Sequence, residues 1–321
     1  MTIRRFALPI TLAAGLAITS CGTDGDTASS GDGPRVLASF YPLAFVAERV
    51  AGSDASVVNL TQAGADAHDM ELTAQQVAQV TEADLVLHLD GFQPAVDEAI
   101  EQNSDHGLDV TGLIELLPAG EDEDEHADED EDEDEDEHAD EDEHAHDLGG
   151  DPHIWLDPAN MSAIAEAVAD ELAEIAPDAA DAFHDRAREL VEQLTELDGE
   201  FTSGLADCAR TTFVTSHAAF GYLAEKYGLE MVGITGIEPE TEPSPARLAD
   251  VQEVVEHDGI TTIFYERLVS PAVAESLAND AGVATAVLDP IEGLTDETAD
   301  EDYFTLMRAN LDALKEANGC G

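Results

Sequence analysis

The sequence predicts an α/β protein of two lobes, each built on a parallel-type sheet, joined by a long rigid backbone helix. Three observations predict it. Short β-branched runs alternate with amphipathic helical stretches, the order that gives parallel strands with helices on both faces. This alternation occurs twice, in two sets that are alike in pattern but not in sequence. Between the sets lies a helical pattern opening at Pro177, with no internal proline and no glycine before Gly199. It is long enough to run for about 40 Å at 1.5 Å per residue.

The elements follow in order. RVLASF reads as a strand, and PLAFVAERVAG as a helix with proline at its start and glycine at its end. ASVVNL is a strand, TAQQVAQVTEA a helix, DLVLHL a strand and FQPAVDEAIEQN a helix. An acidic tract interrupts the pattern here. PANMSAIAEAVADELAEIA resumes it as a helix, and the long helical stretch 177–206 follows. The second set reads TTFVTS strand, AAFGYLAEKYG helix, LEMVGI strand, PARLADVQEVVEHDG helix, TTIFYE strand, PAVAESLANDAG helix and VATAVL strand. A last helix is predicted from Asp300 to Ala317. The implied layout is an N-terminal lobe over 35–176, a connecting helix over 177–206 and a C-terminal lobe over 207–321.

The beginning of the chain, MTIRRFALPITLAAGLAITSCG, has another character. Arg4 and Arg5 precede an apolar stretch from Phe6 to Ile18, too short to span a bilayer and suited to a signal peptide over 1–20. Ile18-Thr19-Ser20-Cys21 resembles a bacterial lipobox, in which the Cys21 thiol carries a diacylglycerol; the bland alternative is an ordinary cleavage site. Residues 21–34 read as a flexible polar tether. Export permits a disulfide, and Cys208 and Cys320 have no other partner. That bond would close a loop worth roughly 4–5 kcal/mol in the chain-entropy treatment.

The formal charge is −61, and the chain has only two lysines, Lys226 and Lys315. Such a field repels nucleic acid and anionic membrane and attracts cations. It also reads as an adaptation to high salt. Within the tract 120–148, residues 121–147 hold twenty carboxylates and four histidines, His126, His138, His144 and His146. They hold no apolar residue larger than alanine, so the tract has nothing to bury and is expected to be disordered.

The other histidines have distinct contexts. His68, in GADAHDMEL, follows the second strand. His153, in GGDPHIWLDP, lies between a glycine pair and a helix start. His217, in TTFVTSHAAFGYLA, sits where a strand meets a helix. Asp289, in VATAVLDPIEGLT, lies at a strand end. In open α/β sheets ligands bind beyond the carboxyl ends of the strands, so two facing lobes would gather these groups in one cleft. Three imidazoles and a carboxylate suit tetrahedral Zn²⁺, while Mn²⁺ prefers more oxygen. Asp69, Asp151 and Asp157 lie close enough in sequence to orient the imidazoles. A lone loop histidine is more often a surface or capping residue than a ligand. His88 reads as a sheet residue, and His106, His184 and His257 as solvated ones.

At these residues the chain resembles the zinc/manganese solute-binding proteins of ABC transporters, the metal-binding lipoprotein family. SFYPLAFVAERVAG, GADAHDMELTAQQVAQVTEADLVLHLDGF, GGDPHIWLDPANM, TSHAAFGYLAEKYGL, GIEPETEPSPARLADV, IFYERLVSPAVAESLANDAG and LDPIEGLT are similar to its segments, in its order. The resemblance implies two α/β lobes bridged by a rigid helix, with His68, His153 and His217 as ligands. It gives the fourth position to Asp289, with Glu292 as the alternative. The zinc-type branch carries a histidine-rich acidic loop where 121–147 lies; the tract reads as metal-gathering through effective concentration, with a solvated, salt-tolerant spacer as the alternative. The GIEPETEPS segment resembles a loop near the cleft, with no role assigned.

The implied protein is a monomeric, lipid-anchored extracytoplasmic receptor. It captures Zn²⁺ and delivers it to an ABC permease with a separate ATPase, since this chain has no GxxxxGK[ST] loop. It is not expected to be an enzyme. A manganese receptor of the same fold, a metal-binding surface adhesin and a secreted zinc hydrolase are the alternatives. A hydrolase needs an open metal position and a general base.

Overall fold

The computed structural model describes residues 33–119 and 149–321. The predicted signal peptide, Cys21, almost all of the tether and the acidic histidine-bearing tract lie outside the described residues.

The N-terminal half forms a four-stranded parallel sheet of order β2-β1-β3-β4. Its strands are β1 (Arg35–Ala38), β2 (Ser56–Asn59), β3 (Leu85–His88) and β4 (Gly107–Asp109). The intervening helices are α1 (Tyr41–Ala51), α2 (Ala74–Glu82) and α3 (Pro94–Asn103). Residue composition explains their limits. Pro42 opens α1 and Gly52 ends it at φ 56°, while Thr73 and Gln76 form a reciprocal capping box at the start of α2. The sequence did not predict β4. Its three residues, Gly-Leu-Asp, carry no strand pattern, and they pair only because β3 presents an open edge.

The C-terminal half repeats the arrangement as β6-β5-β7-β8. Its strands are β5 (Thr212–Thr215), β6 (Glu230–Gly233), β7 (Thr262–Tyr265) and β8 (Ala284–Val287). Between and after them lie α6 (Gly221–Tyr227), α7 (Pro245–His257), α8 (Ala272–Ala281) and α9 (Tyr303–Asn318). In both sheets the strand order reverses between the two central strands, leaving a crevice beyond their carboxyl ends.

Helices α4 (Pro158–Ile175) and α5 (Ala180–Gly204) connect the halves. The helical pattern expected to open at Pro177 begins as one 3₁₀ turn over Pro177–Ala179 and continues as α5. Helix α5 has 25 residues, and its buried residues, Phe183, Ala187, Leu190, Leu194, Leu197 and Phe201, recur at three- and four-residue spacing. Arg186 donates to the carbonyls of Val50 and Ala51 at 2.6 and 2.8 Å, tying the start of α5 to the end of α1. Arg308 of α9 grips Glu200 with two hydrogen bonds of 2.7 and 2.9 Å, tying its other end to the second lobe.

One apolar core runs through both halves. Phe40, Phe45 and Trp155 belong to the same buried cluster as Leu197, Phe213, Phe264 and Tyr303. Cys208, just beyond α5, is bonded to Cys320, just beyond α9, across 112 residues of sequence. Among the described residues, no helix is long and apolar enough to cross a membrane.

Candidate metal centre

His68, His153, His217 and Glu292 meet between the lobes, each buried. Glu292 Oε1 lies 3.3 Å from His68 Nε2 and 3.6 Å from Nε2 of both His153 and His217. The Nε2 atoms of His153 and His217 are 3.2 Å apart. Ligand atoms about 2.0–2.1 Å from a tetrahedral Zn²⁺ stand about 3.3 Å from one another, so these edges fit one small ion.

Each element delivers its ligand for a local reason. The loop after β2 turns at Asp66, whose Oδ1 accepts the His68 N–H at 2.8 Å. Asp151 does the same for the His153 N–H at 2.9 Å. An aspartate two residues ahead thus fixes the backbone of both ligands, the geometry of an Asx turn. Buried Gln93, at the start of α3, donates to the Ala67 carbonyl at 2.9 Å and holds the His68 loop down. His217 lies two residues past the end of β5, and its carbonyl accepts from Thr215 Oγ1 at 2.7 Å. Glu292 follows β8 through Ile291, which is fully buried at φ 61°. A β-branched residue is strained in that left-handed region, at a cost of about 1–3 kcal/mol. The turn is held by Asp289 Oδ1, which accepts the Ile291 N–H at 2.8 Å. Trp155 Nε1 donates to the Pro290 carbonyl at 2.6 Å.

The imidazoles are also aimed from behind. His153 Nδ1 donates to Asp151 Oδ1 at 2.7 Å, and His217 Nδ1 to Glu266 Oε1 at 2.7 Å. Each carboxylate fixes the tautomer that turns the Nε2 lone pair toward the centre. His68 differs, because the carboxylate nearest its Nδ1 is the exposed Glu238, 3.6 Å away. Burial opposes charge on His153, but Asp151 and Glu292 outweigh it and raise its pKa to about 9. Burial likewise disfavours the Glu292 anion. Hydrogen bonds from His153 and His68 nevertheless hold its carboxyl well below the usual range. Phe92 and Trp155 wall the site, with ring centroids 4.7 Å from His68 and 5.2 Å from His153.

The family described as ZnuA, zinc-uptake complex component A, periplasmic, matches residues 36–317. The chain belongs to the ZnuA family. It is 35% identical to the zinc-binding lipoprotein AdcA of Streptococcus pneumoniae over 289 residues, covering 88% of this chain and 55% of that protein. The chain thus spans about half the length of the curated AdcA relatives it matches. It is 30% identical to the high-affinity zinc uptake system protein ZnuA of Bacillus subtilis over 94% of each chain. The zinc-bound ZnuA-like domain of S. pneumoniae AdcA superposes with a TM-score of 0.72 at 33% identity, over 89% of this chain and 99% of that one. The laminin-binding protein Lmb of Streptococcus agalactiae, described as having adhesin and metal transporting activity, superposes at 0.75 with 28% identity. That match covers 89% of this chain and 99% of Lmb.

Within this ZnuA-family fold, the structure brings Glu292, the alternative fourth residue, rather than Asp289 to the imidazoles. Asp289 is buried, but its Oδ1 caps Ile291 and its Oδ2 lies 3.1 Å from Arg267 Nε, and the carboxylate that joins the imidazoles is Glu292. Burial raises the pKa of Asp289, with Arg267 opposing. Asp151 is the one aspartate of the three near the ligands in sequence that orients an imidazole. Asp69 is exposed, and Asp157 caps α4 and pairs with Lys226. Sequence reasoning missed Glu266. Its signal was its place immediately after β7, beside the crevice that His217 enters from β5. His88 lies in β3, as its pattern indicated, and its Nδ1 pairs with Asp97 at 3.2 Å.

Proposed function

We propose that this chain is an extracytoplasmic zinc receptor. It captures Zn²⁺ with His68, His153, His217 and Glu292 and surrenders it to an ABC import permease driven by a separate ATPase. The observation that carries this reading is four ligand-atom spacings of 3.2, 3.3, 3.6 and 3.6 Å, close to the edge of a zinc tetrahedron. The relatives named for zinc binding and zinc uptake support the same cargo.

Three nitrogens and one oxygen favour zinc over manganese, which prefers more oxygen. A fourth protein ligand fills the position that a hydrolytic zinc leaves open for water, which disfavours the hydrolase alternative. Cys21 is the proposed site of lipid attachment, and the protein acts as a monomer at the outer face of the membrane. The tract 121–147 is proposed to gather metal beside the site through His126, His138, His144 and His146. The likeness to Lmb favours a second reading, in which the receptor also serves as an adhesin.

Calorimetric titration of the mature protein with Zn²⁺ tests the main reading, with and without residues 121–147. One tight site should survive deletion of the tract and vanish in His153→Ala, while weaker sites vanish with the tract. Loss of the tight site on deletion alone would move the primary centre into the tract. Growth under zinc depletion after gene deletion separates transport from adhesion.

A further inference from the structure

Behind the four ligands, Leu117 and Asp151 are hydrogen-bonded to each other. Asp151 N–H donates to the Leu117 carbonyl at 2.7 Å, so the outgoing and returning chains touch there. Tyr222, from α6 of the other lobe, closes the junction. Leu117 N–H donates to the Tyr222 hydroxyl at 2.9 Å, and that hydroxyl donates to the Asp151 carbonyl at 2.9 Å. Burial pushes the phenol pKa up to about 12, so it remains a proton donor at any physiological pH.

Two glycines allow this closeness. A Cβ on Gly150 would stand 2.7 Å from the Leu117 carbonyl oxygen, and one on Gly221 would collide with Asp151 Oδ2. Asp151 is therefore held at its N–H, its carbonyl and its carboxylate together. That same carboxylate receives both the N–H and Nδ1–H of His153.

We propose that Tyr222 is a positioning residue of the metal centre. Its hydroxyl, supplied by the C-terminal lobe, locks Asp151 and thereby aims His153 at the ion. The inference rests on the zinc-capture reading and adds to it a residue that touches no metal. Without the hydroxyl, the Leu117 N–H and the Asp151 carbonyl lose their shared partner. The peptide carrying Asp151 can then rotate, and the Asp151 carboxylate leaves the line of His153 Nδ1.

The test is a double-mutant cycle read by zinc affinity in a chelator competition. The full mature protein is used as wild type, Tyr222→Phe, Asp151→Ala and the double variant. Outer partners of metal ligands typically affect affinity 10- to 100-fold, so Tyr222→Phe should weaken zinc about tenfold. In the Asp151→Ala background the same change should have less than about a twofold effect, because its route to the metal is gone. Gly221→Ala, which displaces the Asp151 carboxylate but keeps every hydroxyl, should also weaken zinc about tenfold. It serves as the deciding variant if Tyr222→Phe melts too low to assay. The absorption bands of the Co²⁺-loaded protein should shift in both variants, a change that lost stability alone does not produce. An unchanged affinity in Tyr222→Phe overturns the proposal, as does an equal loss in both backgrounds. Wild-type protein that takes up no zinc would sink the capture reading itself, whereas an inert Tyr222→Phe beside an inactive His153→Ala sinks only the proposal.

Discussion

Glu292→Gln and Asp289→Asn are near-isosteric changes three residues apart, and the structure assigns them opposite outcomes. Glu292 is buried, with Oε1 within 3.3–3.6 Å of three imidazole nitrogens. The substitution removes the single carboxylate of the cluster and places an amide among donors. Removing one partner of a buried charge pair costs about 3–5 kcal/mol. At about 1.4 kcal/mol per decade, zinc affinity should fall roughly 10²- to 10³·⁵-fold. Binding should persist, because three imidazoles remain. Asparagine at 289 still offers an oxygen to the Ile291 N–H and loses only the pairing with partly exposed Arg267. Its effect on zinc should stay within about fivefold, since an ion pair of that kind contributes about 1 kcal/mol or less. Competition against a chromophoric chelator at fixed pH reads both. A large loss in Asp289→Asn with an unaffected Glu292→Gln would refute the assignment of the fourth ligand.

The remaining predictions concern protons, light and the disulfide. With its pKa raised from 6.5 to about 9, His153 is protonated in the metal-free protein at neutral pH. Zinc binding at pH 7.5 should therefore release about one proton from His153, falling to about half near pH 9 and fading above it; calorimetry in two buffers of different ionisation enthalpy measures this. The sign for stability follows: the contribution of His153 to the metal-free protein is full below pH 6.5 and is lost as pH rises through 9, which melting scans should record. Trp155 is the single tryptophan and lies 5.2 Å from His153, so Cu²⁺ or Co²⁺ binding should quench most of the intrinsic emission. A metal-insensitive signal would place the ion elsewhere. Replacing Cys208 and Cys320 by serine frees a loop of 112 residues. It should lower unfolding free energy in guanidinium by up to about 4–5 kcal/mol with little change in zinc affinity.

Much of this architecture was legible because its signals are local. The strands of DLVLHL and TTFVTS are continuous apolar or β-branched runs, and α5 carries a three-four stripe that no strand could present. β4 was not legible, since Gly107, Leu108 and Asp109 become a strand only through a neighbour. Helix α6 starts later than the pattern suggested. Ala218 N–H donates to the Gly236 carbonyl at 2.8 Å, so the turn carrying His217 is held in an irregular form. The three imidazoles stood out by their place at strand ends. The choice between Asp289 and Glu292 turned on a left-handed, β-branched Ile291, which sequence patterns argue against rather than for. Glu266 was hidden for a related reason, because its partner lies 49 residues away in sequence and meets it only across a sheet.

The apolar core shared by both halves limits how far the site between them can open. Separating the halves would wet Phe45, Trp155 and Tyr303, which meet across them, so gross opening is costly. Scattering profiles recorded with and without cargo should then overlay, and each half produced alone should fail to fold. Binding would then register locally, at the four buried side chains and at exposed Glu238 beside His68, rather than in the outline of the molecule.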